Sequence, residues 1–269
     1  MRRLLLLLAA LAAPSLAQAS PWAQGKGKVF ADAEYAHVRS TTLFAPDGTS
    51  FQIPAYVHDE FNALVAIGLA DRLSVYASLP VWRSSDLQDF GSESGVGDLK
   101  VGGQVQLAAR GPWVFALRAE VQAPTGDATR AGGLLPTGTG VWEGNGVLSV
   151  GRALRSGRGW GFVEAGHQVR GGQLRDSFLY ALQVGWRAGM RIAVAVGLRG
   201  VEPYDSSARL VAIGSPTGLS DRVTYTTYGP SLLVRLSGPW TLHVEVEDAF
   251  HTRNLATGIT LRTALSWAR

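Results

Sequence analysis

From residue 28 almost to its end the chain alternates apolar and polar side chains with period two. No segment beyond residue 19 offers the ~20 apolar residues that a membrane helix needs. Together these two facts leave few folds open. In the run 178–187, Phe178, Tyr180, Leu182, Val184 and Trp186 share one face, while Ala181, Gln183, Gly185 and Arg187 share the other. Ile192, Val194, Val196 and Leu198 alternate in the same way with Arg191, Ala193, Ala195, Gly197 and Arg199. Later, Leu242, Val244 and Val246 alternate with His243, Glu245 and Glu247, and Ile259, Leu261 and Leu265 with Thr260, Arg262 and Ser266. Successive strand residues point to opposite faces, so each run predicts a strand with one apolar and one polar side.

A soluble sandwich alternates too, so the connections decide. The pattern predicts strands near 28–38, 56–69, 73–83, 96–109, 113–123, 141–154, 159–170, 176–187, 190–201, 223–236, 240–251 and 254–268. Tight turns fall at 70–72, 110–112, 155–158, 188–189 and 237–239. Between them lie long stretches rich in Ser, Gly, Pro, Thr and Asp at 39–55, 84–95, 124–140 and 202–222. Two connections, 171–175 and 252–253, break the rule by being short. Tight turns at one end and long loops at the other mark an outer-membrane barrel. Composition agrees: 33 Gly, 8 Trp, 7 Tyr and 9 Phe with 17% charged residues, and no apolar helix to span lipid. Where water is absent, only helices and closed barrels pair every backbone group. The expected fold is all-β, a transmembrane antiparallel up-and-down β-barrel of about twelve strands over residues 20–269. Trp82, Trp113, Trp142, Trp160, Trp186, Trp240 and Trp267 fall near strand ends and predict an interfacial girdle. Pro80 and Pro230 interrupt strands and predict bulges or strand ends.

The expected location is the bacterial outer membrane, reached through a cleaved signal peptide at 1–19. Arg2 and Arg3 supply a positive start, Leu4 to Ala13 an apolar stretch, and Ala17-Gln18-Ala19 a cleavage site before Ser20. The formal charge of +4 falls to +2 without Arg2 and Arg3, too little for a nucleic-acid surface. With no cysteine, disulfides and thiolate metal sites are excluded. Only about eight residues separate Ser20 from the first strand, so no plug domain is expected, which argues against an energy-coupled receptor. The expected partners are outer-membrane lipid, the barrel-assembly machinery and an unidentified small solute.

The face opposite the apolar one carries Glu60, Lys100, Arg118, Glu120, Glu164, Arg187, Arg191, Arg199, Arg235, Glu245, Glu247 and Arg262, the candidate lumen-lining residues. Such charges either line a pore or pair across the barrel and seal it. Catalysis finds little support. None of His37, His58, His167, His243 and His251 stands in a His-x-Ser pattern, and the adjacent His58-Asp59-Glu60 point to alternate faces. No catalytic residue, metal site or cofactor is assigned. Gly95-Val96-Gly97-Asp98 lacks the Lys-Ser/Thr and helix of a phosphate loop.

Several segments resemble the outer-membrane family named for the MetA pathway of phenol degradation. They are Pro21-Trp22-Ala23-Gln24-Gly25-Lys26-Gly27, Ser78-Leu79-Pro80-Val81, Gly95-Val96-Gly97-Asp98-Leu99-Lys100-Val101-Gly102, Ala123-Pro124-Thr125-Gly126-Asp127 and Leu135-Pro136-Thr137-Gly138-Thr139-Gly140. The resemblance implies an outer-membrane channel or transporter for small hydrophobic or aromatic compounds. It carries over no binding residues. A sealed structural barrel acting through its loops is the alternative, and a lipid-modifying enzyme a third. Pro124, Thr125, Gly126 and Asp127 open a loop long enough to fold over or into the lumen, with a surface loop of two turns as the simpler expectation.

Overall fold

A computed structural model describes residues 20–154, 157–204 and 215–269. The signal-peptide reading of 1–19 lies outside the described residues. The strands are β1 (Val29–Phe44), β2 (Ser50–Ala70), β3 (Leu73–Leu87), β4 (Gly91–Gly95), β5 (Leu99–Arg110), β6 (Trp113–Ala123) and β7 (Glu143–Ala153). They continue as β8 (Gly159–Arg170), β9 (Ser177–Arg187), β10 (Ile192–Pro203), β11 (Thr224–Arg235), β12 (Trp240–Arg253), β13 (Leu255–Ala256) and β14 (Thr260–Ala268). Every pairing is antiparallel, β3 pairs past β4 with β5 and β12 past β13 with β14, and β1 joins both β2 and β14 to close the ring. Val29 and Arg269 exchange two backbone hydrogen bonds of 2.9 Å at that seam. β4 pairs with the upper part of β3 and β5 with its lower part, so the two are halves of one wall strand. β13 and β14 share β1 in the same way. The fold is a closed barrel of twelve antiparallel strands.

The alternation read from the sequence becomes the two sides of this wall. Val65, Val101, Val121, Leu148, Val163, Val184, Val196 and Leu261 stand exposed on the outside, an apolar surface that suits lipid. Trp82, Trp113, Trp142, Trp186 and Trp240 are exposed with them. Trp160 is the exception and corrects the girdle reading. It is buried inside, with its indole N–H donating to Gln183. β8 presents its even-numbered residues inward, and the ring fits because it lies over a residue without a side chain: a Cβ at Gly185 would sit 2.1 Å from Trp160 Cζ2. Gly185→Ala is therefore expected to lower unfolding stability by about 1–3 kcal/mol, read by urea denaturation of the detergent-folded barrel.

Two of the long loops are shorter than the sequence suggests. β1 and β2 run on past residue 38 to a turn at Asp47 and Gly48, and β3 and β4 continue beyond residue 83 to a turn before Gly91. Turn-rich composition concealed the strands, because Ser, Thr and Asp sit well on an edge that rises out of lipid. Pro80 marks a bulge, at the register shift between Phe61 and Asn62. Pro230 leaves a short gap instead: the β11–β12 ladder passes from Tyr228↔Asp248 to Ser231↔Glu245 without a shift.

Candidate functional site: a charged cavity inside the barrel

The inward wall carries a set of charged side chains, and most of these are paired. Glu247 accepts from Arg199 at 2.6 Å and from Arg262 at 2.9 Å, and Arg262 also donates to Glu34 at 2.9 Å. Arg83 donates to Glu60, Arg170 to Glu143 at 2.9 Å, and Arg118 to Glu164 at 3.1 Å. Glu120 accepts from the Tyr76 hydroxyl and the Asn145 amide. These contacts run along the wall between nearby strands and leave a cavity of about 320 Å³ in the middle. Losing one partner of such a buried pair strands the other charge. Glu247→Ala, which strips the half-exposed Arg199 of its carboxylate and leaves Arg262 only Glu34, should cost about 1–3 kcal/mol in the same denaturation assay.

The candidate residues divide by height in the barrel. Glu60, Lys100, Arg199, Glu245 and Arg262 line the cavity itself. Arg118, Glu120, Glu164 and Glu247 sit in the wall pairs just described. Arg187 lies near the tight-turn end, its guanidinium carbon 6.0 Å from the Trp160 ring centroid. Arg191 and Arg235 are exposed at that same rim, outside the cavity lining. Sequence reasoning missed Asp32, Glu34, Arg83, Asp98, Glu143 and Arg170, all of which line the cavity. Arg83 was hidden by the bulge at Pro80, which reverses which residues of β3 face inward.

Above the cavity the segment between β6 and β7 folds into the barrel, contrary to the surface-loop expectation. Its anchor is Asp98, 3% exposed, in the break between β4 and β5. Asp98 Oδ1 accepts from the backbone N–H of Gly126 at 2.9 Å, and Oδ2 from the N–H of Thr139 at 2.7 Å and the Gln122 amide at 3.1 Å. Thr125 adds a bond to the Gly97 carbonyl at 2.8 Å, and Asp127 ties down Thr129 through its N–H and hydroxyl. The glycines answer to close approach. A Cβ at Gly138 would meet Asp98 Oδ1 at 2.3 Å, one at Gly126 the Gly138 backbone at 2.7 Å, and one at Gly97 the Pro80 ring at 2.7 Å. The separate motifs around Pro80, Gly97, Asp98, Gly126 and Gly138 are thus one object, a staple that holds a loop inside a barrel. Leu135, fully buried, adds an apolar anchor among Leu43, Tyr56, Leu87 and Ala256. Arg83 holds the Thr137 carbonyl at 2.9 Å, and Ser215 from the next loop donates to the Leu134 carbonyl at 2.6 Å.

Below the cavity the segment before β1 enters the opposite mouth. Ser20 and Pro21 are buried, and Trp22 meets Phe162 edge-on at 6.4 Å. A Cβ at Gly151 would strike Pro21 Cγ at 2.3 Å, and one at Gly68 the Gly25 carbonyl at 2.0 Å. Gly27 N–H donates to the Gly68 carbonyl, and Gly68 N–H to that of Lys28, both at 2.9 Å. Loop residues thus pack over one end of the cavity, and residues 20–27 enter the other.

One further contact was invisible in the sequence. β2 and β3 place His58 opposite Ser85, with Nδ1 2.8 Å from Oγ, and Glu60 Oε2 lies 3.9 Å from Nε2. Ser85 is 4% exposed with the Tyr56 hydroxyl over it, and Glu60 is engaged by Arg83. The hydroxyl is enclosed in packing rather than presented to a substrate. His243 is also buried inside, 1% exposed, with neither ring nitrogen hydrogen-bonded.

A family model described as "Putative MetA-pathway of phenol degradation" matches residues 48–163. The barrel is similar to an outer membrane channel from Pseudomonas putida F1, with TM-score 0.74, 15% identity, and coverage of 93% of this chain and 98% of that one. It is also similar to the NanC porin, with TM-score 0.54 and 9% identity, and to the KdgM porin, with TM-score 0.53 and 7% identity. Both porins cover 88% of this chain with 98% of their own. No curated protein matches the sequence. Identities this low speak for the fold, while the staple falls within the matched residues. Over residues 48–163 the chain carries the signature of the MetA-pathway phenol-degradation family, set on a twelve-stranded barrel with the fold of outer membrane channels.

Proposed function

We propose that the protein is a gated outer-membrane channel for small hydrophobic or aromatic compounds. The observation that carries this reading is the arrangement of charge: ion pairs run along the wall and spare a central cavity. A barrel built only to be sealed would pair its charges across the middle. Here chain segments at the two mouths do the closing, and segments can move where a ring of strands cannot. The polar wall with apolar patches suits a solute that combines a small apolar body with a polar group. Residues 1–19 act as the cleaved export signal, and barrel-assembly machinery inserts the product into outer-membrane lipid.

Single-channel recording of the refolded barrel in a planar bilayer tests this. Brief, low-conductance openings are expected, with longer ones when either closure is weakened. A barrel that folds, as judged by a heat-dependent gel shift, yet stays silent with both closures removed would rule the channel out. Intact mass of the purified outer-membrane form should correspond to a chain beginning at Ser20.

A further inference from the structure

The cavity wall contains one cation unlike the rest. Arg83, Arg170, Arg199 and Arg262 each reach a carboxylate. Lys100 lines the same cavity and, among the described residues, has neither an ion pair nor a hydrogen bond. Its ladder neighbours are Ser78 and Gln122. Neither accepts from it: Ser78 donates to Asn62, and the Gln122 amide donates to Asp98. Lys100 is half-buried and its ammonium has no direct partner among the described residues, so an anion entering the cavity could pair with it.

Glu245 is the complementary case. It lines the cavity at 9% exposure, in the field of Arg199 and of its ladder neighbour Arg262, but, among the described residues, has an ion pair with neither, while both donate to Glu247. From β12 the path to β5 takes five strand steps through β14, β1, β2 and β3, and seven the other way round. These two charges, each without an ion pair among the described residues, therefore stand on roughly opposite walls of the lumen. Phe30, Leu64, Val201, Leu219 and Tyr225 supply apolar surface to the same space.

We infer that the cavity is a binding site for a small carboxylate with an apolar middle and a hydrogen-bond donor at its far end, such as a hydroxylated aromatic acid. Lys100 takes the carboxylate and Glu245 accepts from the distant hydroxyl. This deepens the channel reading by naming the class of solute, and it rests on that reading for its biological sense, though not for its test.

The test is calorimetric binding of 4-hydroxybenzoate to the folded barrel in detergent, with benzoate, phenol and benzylamine for comparison. Barrels with and without residues 20–27 are both titrated, so that slow entry does not hide a site. Lys100→Gln should weaken 4-hydroxybenzoate by about tenfold or more, the scale of one lost charge contact, and Lys100→Arg should restore most of it. Glu245→Leu, which removes the acceptor, should erase the preference for 4-hydroxybenzoate over benzoate while sparing benzoate itself. The site is overturned if neither barrel binds the acid, if Lys100→Gln binds it unchanged, or if phenol or benzylamine binds as well as the acid. Binding without current in any variant keeps the site and removes the channel; current without binding does the reverse.

Discussion

Deleting residues 20–27 turns a nearly silent barrel into one that conducts, with little loss of fold. The segment fills a mouth whose rim is built by strands that pair without it, and it contributes no rung to the β1–β2 or β1–β14 ladders. What holds it is the burial of Ser20 and Pro21, the Trp22–Phe162 contact and a short run of backbone bonds at Gly68. A buried tryptophan contributes at most about 4–6 kcal/mol by area, and Trp22 is only partly covered. The closure is therefore held loosely enough to be displaced. Recordings should show much longer open times in the deletion, and a gel shift at an unchanged temperature. A deletion that folds and stays closed would place the decisive barrier at the loops instead.

Asp98→Ala should act on the other mouth. It removes the acceptor shared by Gly126, Thr139 and Gln122, and hydrogen bonds to a charged group are each worth about 1.5–3 kcal/mol. Two such losses amount to about 3–6 kcal/mol. Inverting a 1:99 population takes about 5.5 kcal/mol, so the loop should pass from mostly docked to substantially free. Proteolysis within 124–142 in the folded barrel should rise sharply, and openings should lengthen. Gly138→Val should reproduce both effects with Asp98 intact, because its side chain would occupy the space of the carboxylate. If Asp98→Ala left the loop protected, the anchor would have to be Leu135 and its apolar neighbours.

The wall was legible in the sequence because a barrel in lipid imposes a strict period of two, and runs such as 178–187 and 192–199 keep it without interruption. The closures were not, for different reasons. The docking of the β6–β7 segment depends on Asp98, Gly126 and Thr139, whose separations along the chain carry no periodic signal. Arg83 turned inward through a bulge, which a pattern of alternation reads as a phase error. Trp160 resembled its girdle counterparts at strand ends; its placement inside depended on the absence of a side chain at Gly185, on the next strand. Trp22 stood out as part of a family motif, but nothing local says that it enters the barrel. The motif residues nevertheless come together in space: those around Pro80, Gly97, Gly126 and Gly138 meet at one point.

The lower closure hangs from the strand that completes the ring. Lys28 and Val29 are fixed at the seam, and the eight residues before them span at most about 29 Å when extended. With residues 1–19 removed, as proposed, the segment can leave the mouth but cannot diffuse away, so it behaves as a blocker on a leash. A short flexible tether holds its end at an effective concentration in the millimolar range. The free peptide with the sequence of residues 20–27, added to the deleted barrel, should thus restore block only at comparable, millimolar amounts. Its on-rate should scale with dose, whereas reclosure of the intact chain proceeds at a fixed rate however dilute the protein becomes.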